Sequence, residues 1–294
     1  MYEKILNCPV CDNNIISNYI ICKDHTVSEE SFAISECRNC GFKFTNPRPD
    51  KTNIEKYYES KDYISHSNAS TNFINFAYKI ARKFTLGFKY KILKKYYSEK
   101  GKLLDYGCGT GNFLLYCKNK GWDVVGIEPN MKALHEAEKV KSLTIYNSKD
   151  KLQDKEKFDV ITLWHVLEHI HELKEVFTFL KSKINKNGII CIAMPNSDSY
   201  DCQLYKEFWA GYDVPRHLYH FNQATFKALI KLSKMKLLEV IPMKLDAYYV
   251  SMLSEKYKNK KNNYLRSVLM GYKSNSWAAK NNNNYSSLIY IIRK

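Results

Sequence analysis

The chain has 294 residues and 45% hydrophobic content, enough for one large core and a smaller unit beside it. No run of about 20 apolar residues occurs, and the start, MYEKILNCPVC, lacks the apolar segment of a secretory signal, so no membrane span and a cytoplasmic location are expected. A formal charge of +16 and a pI near 9.2 attract anions, but lysine is spread along the whole chain, so nucleic acid is an open yet unfavoured partner.

Residues 1–50 carry two C-x2-C pairs, CPVC (8–11) and CRNCG (37–41), among nine cysteines. Each pair offers two thiolates to one tetrahedral ion, and Gly41 lets the backbone turn beneath it. Cys8, Cys11, Cys37 and Cys40 are therefore the expected ligands of a structural Zn2+. Without an export signal, reduced thiols are expected in place of a disulfide framework. A redox pair would stand beside a βαβ unit. Cys22, Cys108, Cys117, Cys191 and Cys202 read as packed thiols. TNPRPD then makes a stiff, extended exit.

Residues 51–98 read as a helical linker. NIEKYYESKDYISH is followed by FINFAYKIARKFTLGFKYKILKKYY, with apolar residues at three- and four-residue steps. Tyr57, Tyr58, Tyr63 and His66 either cover a cofactor cleft as a lid or pack the linker. The lysine clusters at 89–100 and 256–264 read as solvated faces.

Residues 99–294 read as one α/β core. KLLDY, DVVGIE, SLTIYN, FDVITLW and GIICIAMP are expected strands, alternating with helices over GNFLLYCKNKG, NMKALHEAEKV and ELKEVFTFLKSKI. An insert at about 196–222 interrupts the pattern. The helix QATFKALIKLSKM, the strand LLEVIPMKL and the final strand SSLIYIIR follow. The sequence leaves open whether residues 246–284 fold alone or wrap the core.

The first strand runs into the loop DYGCGTGN, with Gly107, Gly109 and Gly111. Asn112 and Phe113 follow the last glycine, where a P-loop needs Lys-Ser/Thr. The spacing G-x-G-x-G is one residue shorter than a dinucleotide fingerprint and suits close approach of a nucleoside without a pyrophosphate. Glu128 closes the next strand and is placed to accept hydrogen bonds from ribose hydroxyls. Asp105 and Glu128 together would grip a ribose and a cationic head group.

HVLEH (165–169) has the H-x-x-E-H spacing of a zinc-peptidase helix, but it follows a strand directly, at the sheet edge where ligands bind. Its residues either pack and cap a turn or face an acceptor. In the insert, YDVPRHLYHF (212–221) offers Arg216, His217 and His220 amid Trp209, Tyr212, Tyr219 and Phe221. These either wall a pocket or pin the loop by packing and an Arg–acid pair. His217 is the first candidate base and His165 the second.

These motifs together resemble the class I S-adenosylmethionine-dependent methyltransferases: LLDYGCGTGNFL, VVGIEPN, FDVITLWHVLEHI and INKNGIICIAMPN correspond to their successive strand motifs over about 102–245. The resemblance implies a Rossmann-like seven-stranded sheet whose last strand is antiparallel. It places Asp105 near the methionine amino group, the loop glycines against the ligand, Glu128 on the ribose and Asp150 at the adenine. LEH resembles the ubiquinone-type O-methyltransferases, some of which hold a divalent metal with an acid and a histidine there; His165 stands where those have an acid. The cysteine unit looks like a zinc ribbon. Sugar-nucleotide C-methyltransferases also join a cysteine-rich module to such a core, and D-x-P-R-H-L segments occur in bacterial methyltransferases of unassigned substrate.

The expected activity is methyl transfer from S-adenosylmethionine to a small-molecule acceptor, a sugar, lipid precursor or metabolite, by O- or N-methylation. The alternatives are an RNA- or ribosome-directed enzyme that uses the ribbon and the basic charge, and a cofactor-binding scaffold without turnover. The Asn/Asp-Pro-Pro-aromatic motif of nucleic-acid amino methylation and the cysteine nucleophile of RNA cytosine-5 enzymes are both absent after the fourth core strand.

Overall fold

The computed structural model describes residues 1–58, 73–140 and 142–294. The expected lid residues Tyr63 and His66 lie outside them.

The N-terminal unit holds β1 (Tyr2–Glu3), β2 (Ile16–Lys23), β3 (Ser31–Cys37), β4 (Lys43–Thr45) and β5 (Arg48–Pro49). β2, β3 and β4 form an antiparallel meander, and β1 pairs with β5. A short 3-10 turn at Ile54–Tyr58 begins the linker, and the helix α1 (Phe73–Tyr96) completes it. On α1, Leu86, Tyr90 and Leu93 recur at helical steps and pack on the core, as the periodicity predicts.

The core then alternates β6 (Lys102–Tyr106), α2 (Asn112–Lys118), β7 (Asp123–Ile127), α3 (Met131–Glu138), β8 (Thr144–Tyr146), β9 (Phe158–Trp164), α4 (Leu173–Lys183) and β10 (Ile184–Pro195). The insert contains α5 (Tyr200–Tyr205) and β11 (Tyr219–His220). The chain closes with α6 (Gln223–Leu232), β12 (Lys236–Pro242), α7 (Asp246–Asn259), α8 (Tyr264–Ala278) and β13 (Ser287–Arg293).

Seven strands form one sheet in the order β12-β13-β10-β9-β6-β7-β8. β13 runs antiparallel to both neighbours, and the pairings from β10 to β8 are parallel. This is the Rossmann-like architecture the resemblance implies. Alternation along the central strands builds a core on each face. On β13, Leu288, Tyr290 and Ile292 enter one cluster while Ile289 and Ile291 enter the other.

The insert does not stay with the core. β11 pairs antiparallel with β4, Tyr219 opposite Phe44 and His220 opposite Lys43, giving a four-stranded sheet β11-β4-β3-β2. Arg216, almost wholly buried, fastens the same junction. It donates to both carboxylate oxygens of Asp213 (3.0 and 2.7 Å), to Asp24 (2.9 Å) and to the Tyr57 carbonyl (2.9 Å). Of the two readings of Arg216, the pinning one matches this geometry. Trp209, Tyr212, Tyr219 and Phe221 are each at most 3% exposed and pack the insert, and Trp209 and Tyr212 also line a small cavity with Asp213, Arg216 and Tyr257.

Candidate active site

The site forms at the carboxyl ends of β6, β7 and β9. Asp105, the fourth residue of β6, is 2% exposed and accepts a 2.6 Å hydrogen bond from the Thr162 hydroxyl on β9. Burial pushes its carboxyl up to about 7, against the opposing pull of Thr162 and of the Lys89 charge. Gly107 and Cys108 donate their N–H groups to the Ile127 carbonyl, which folds the glycine loop back over β7. Gly107 and Gly109 have φ of 75° and 55°. A Cβ at Gly107 would meet Val166 at 2.5 Å, whereas one at Gly109 would meet nothing within 4 Å. The loop is therefore closed on the side of β9 and open at its second glycine. Gly111, also left-handed, caps α2.

Glu128 lies one residue past β7. Its Oε2 accepts from Gly109 N at 2.7 Å and its Oε1 from Asn130 N at 2.9 Å. Burial raises its pKa, and these two donors work against the rise. Each oxygen keeps a further lone pair, which fits an acceptor of ribose hydroxyls. Two buried carboxylates on adjacent strand ends, beside a backbone without side chains, form a cradle suited to a cationic nucleoside. Asp150 lies in a short turn after β8, exposed, held by the Ser148 hydroxyl at 2.9 Å.

Lys89, from a cluster expected on a solvated face, completes this wall instead. It belongs to α1 and stands 4.5 Å over the Trp164 ring. Burial lowers its pKa, while Asp105 and Asp246 oppose the shift. Its position three residues after Leu86, on the apolar stripe of α1, was the available signal.

The histidine-bearing turn follows β9. His165 adopts a left-handed backbone, φ 57°, and its N–H donates to Ala193 of β10. Its ring bridges two acids, Nδ1 at 3.4 Å from Glu168 Oε1 and Nε2 at 3.2 Å from Asp246 Oδ2. Burial opposes its charge, but these two carboxylates raise its pKa to about 9. His165 is accordingly an imidazolium at neutral pH.

Glu168, His169 and His217 converge at one point, each offering a ligand atom within 4.8 Å of the others. His217 Nδ1 donates to the Gly211 carbonyl at 2.9 Å and His169 Nδ1 to the Arg216 carbonyl at 3.1 Å. When the rings are neutral these anchors leave Nε2 as the acceptor, and His217 Nε2 stands 3.9 Å from Asp213 Oδ2. The Tyr58 hydroxyl also lies 2.9 Å from His169 Nδ1, so one of the expected lid tyrosines does reach the turn. Burial and the His217 charge lower His169 to about 4, keeping it neutral. Glu168 is 1% exposed, and neither of its oxygens accepts a hydrogen bond among the described residues. Burial opposes its ionisation, but the neighbouring histidines hold its pKa below the usual value. A carboxylate and two imidazoles facing one point form a donor set that suits a divalent cation, with His165 on the other side of Glu168. The sequence placed Glu168 and His169 in the right turn; only the fold brings His217 to them.

In the N-terminal unit the four cysteine sulfurs lie within 4.8 Å of one another, with Cys8–Cys40 and Cys11–Cys37 each at 3.5 Å. Four thiolates around a tetrahedral zinc at about 2.3 Å stand roughly 3.8 Å apart, so the arrangement fits that ion. Burial opposes the Cys11 thiolate, but donors from Asn39 and the Asn13 backbone bring it to about 6. Gly41 turns the second pair at φ 72°.

Residues 79–239 match the family model described as a methyltransferase domain. The ubiquinone biosynthesis O-methyltransferase of Pelagibacter ubique (strain HTCC1062) is 37% identical over 101 residues, 32% of this chain and 42% of that protein. The match thus spans less than half of that relative's length. Among solved structures, the plantazolicin methyltransferase BpumL in complex with SAH superposes with a TM-score of 0.53 at 16% identity, covering 82% of this chain and 93% of that one. The magnesium protoporphyrin IX methyltransferase of Synechocystis PCC 6803, with bound SAH, gives 0.54 at 14% identity, covering 83% and 100%. At these identities the two structures speak for the fold. The cysteine unit lies before the family match.

Proposed function

This chain belongs to the methyltransferase-domain family, and on that premise we propose that it is an S-adenosylmethionine-dependent enzyme that methylates a hydroxyl or amine of a small molecule: a sugar, lipid precursor or metabolite. The observation that carries the cofactor half is the pair of buried carboxylates, Asp105 and Glu128, flanking the left-handed glycine loop. When bound, the cofactor supplies an electrophilic sulfonium methyl. Asp105 pairs with its cationic amino group, Glu128 accepts from the ribose hydroxyls, and Gly107, Gly109 and Gly111 let the backbone approach. Asp150 stands for the adenine side. Lys89, over Trp164, is placed for the amino-acid carboxylate.

On the acceptor side His217 is the base. Its Nδ1–H is held by Gly211, so Nε2 is the atom that takes a proton from the acceptor. His165, the second candidate, is charged between Glu168 and Asp246 and instead orients and stabilises developing negative charge. The spread of lysine along the whole chain favours a compact acceptor over RNA. Cys8, Cys11, Cys37 and Cys40 hold a closed, structural Zn2+.

The convergence of the buried Glu168 carboxylate with two imidazoles favours a second reading of the same acceptor site, in which Glu168, His169 and His217 hold a divalent cation. Such an ion would acidify an acceptor hydroxyl, and His217 would then be a ligand and not the base.

The test is calorimetric titration with S-adenosylhomocysteine, followed by labelled-methyl transfer to panels of small hydroxyl and amine compounds and to total RNA. Micromolar cofactor uptake with transfer to a small compound supports the proposal. Transfer confined to RNA, falling steeply with salt, overturns the acceptor class. Absence of uptake overturns the cofactor reading. Turnover that is lost to a chelator and restored by Mg2+ or Mn2+ selects the second reading.

A further inference from the structure

The helical hairpin of α7 and α8 is packed inside out. A helix on a water-facing surface normally turns its large apolar residues inward. On α8 the inward residues are Ser267, Met270, Gly271, Ser274 and Ala278. The outward ones are Tyr264, Leu265, Val268, Leu269 and Tyr272, a stripe at one-, four-, five- and eight-residue offsets, with Leu265 88% exposed and none below 49%. The inner face is specific and not merely loose. A Cβ at Gly271 would stand 2.9 Å from Tyr248 Cα, so the two helices touch backbone to backbone. Ser274 donates to Asp201 at 2.7 Å, and the fully buried Glu255 of α7 accepts from Tyr205, Asn259 and Arg266. Small and polar groups hold the helices together while Leu, Val and Tyr face out, the distribution used where the surrounding medium is apolar.

The charge around the stripe has one sign. After Glu255 the chain contains no Asp or Glu, and Lys258, Lys260, Lys261, Arg266 and Lys273 border or precede the apolar residues. A symmetric contact between two copies through this face would bring those cations against themselves. An anionic lipid surface satisfies both halves, acyl chains for the stripe and head groups for the lysines. No helix among the described residues is long and apolar enough to cross a membrane, so the hairpin would lie in the interface.

We propose that the outward face of α8, with its flanking lysines, docks this enzyme on an anionic membrane surface. The same hairpin begins at Asp246, which contacts His165 in the active site, so docking would fix the acceptor side of the cleft relative to the bilayer.

The test is flotation of the full-length protein with phosphatidylcholine vesicles, with and without about 30 mol% phosphatidylglycerol, at about 0.1 and 0.5 M NaCl. Binding is expected on the anionic vesicles, at least about tenfold weaker on the neutral ones and weakened by salt. Leu265→Asp combined with Leu269→Asp should reduce it by at least about tenfold with unchanged cofactor affinity and melting temperature, since both residues are exposed. No flotation on anionic vesicles overturns the proposal. So does flotation that the apolar pair of substitutions leaves unchanged, which would make the attraction one of diffuse charge. A dimer in sedimentation velocity that the same pair dissolves would reassign the face to self-association. None of these outcomes touches the methyl-transfer reading.

Discussion

Asp105→Asn separates the cofactor's demand on this carboxylate from its cost to the fold. In the unliganded protein Asp105 is buried with a pKa raised to about 7, against about 3.9 for an unfolded aspartate. Between those values the native state holds a proton that the unfolded state has released. The group's contribution to stability therefore falls as pH rises from about 4 to about 7 and stays low above that. Each pH unit within that interval costs about 1.4 kcal/mol, so the carboxylate destabilises the fold by on the order of 1 kcal/mol at pH 5 and on the order of 4 kcal/mol at pH 8. Asparagine keeps an oxygen for the Thr162 hydroxyl and carries no charge. The variant should therefore match the wild type near pH 4 and exceed it by up to about 4 kcal/mol at pH 8. It should also lose the cationic cofactor by a large factor. Urea unfolding at several pH values, with and without S-adenosylhomocysteine, reads both effects. A variant less stable than wild type at pH 8, or one with undiminished cofactor affinity, would refute the assignment.

Glu128→Ala removes the acceptor of Gly109 N and Asn130 N along with the proposed ribose contact, so calorimetry should show cofactor affinity down by about 1–3 kcal/mol. Unchanged affinity would exclude Glu128 from the site. His217→Ala should lower turnover by about 100-fold or more while cofactor affinity holds. Parallel loss of both would make His217 a packing residue. Cys37→Ser should release the metal, shown by elemental analysis, and lower the melting temperature. A tightly held zinc remaining in that variant would break the four-cysteine assignment.

The sheet was legible because its signals are local. FDVITLW and KLLDY occupy β9 and β6 residue for residue, since a strand buried on both faces reads as a mostly apolar run. Asp105, Glu128 and the glycines followed from strand ends and a turn only a few residues long. What the sequence hid depends on distant pairing. β11 is two residues long and exists only because β4 lies beside it. His169 and His217 meet across the insert, with ring centroids 4.6 Å apart, and no spacing rule announces that. Residues 246–284 gave no clear periodicity because α7 and α8 bury serine, glycine and glutamate, and the apolar stripe looks the wrong way.

The shared sheet changes what the cysteine unit is for. Cys37 ends β3; its neighbour Glu36 pairs with Lys43 on β4; and β4 ends at Thr45. Thr45 donates its hydroxyl to the His217 carbonyl at 2.7 Å and its N–H to Leu218 at 3.0 Å. One strand therefore separates the cysteine knuckle from His217, the proposed base. Arg216, next in line, reaches back to Asp24 just past β2. The carboxylates proposed to hold the cofactor, Asp105 and Glu128, hang from β6 and β7 of the other sheet, and no element of the ribbon pairs with those strands. Losing the metal should thus loosen the acceptor wall while the cofactor cradle persists. A ribbon that served only to recruit a separate partner would have no reason to supply three strands of the sheet that β11, two residues after His217, completes.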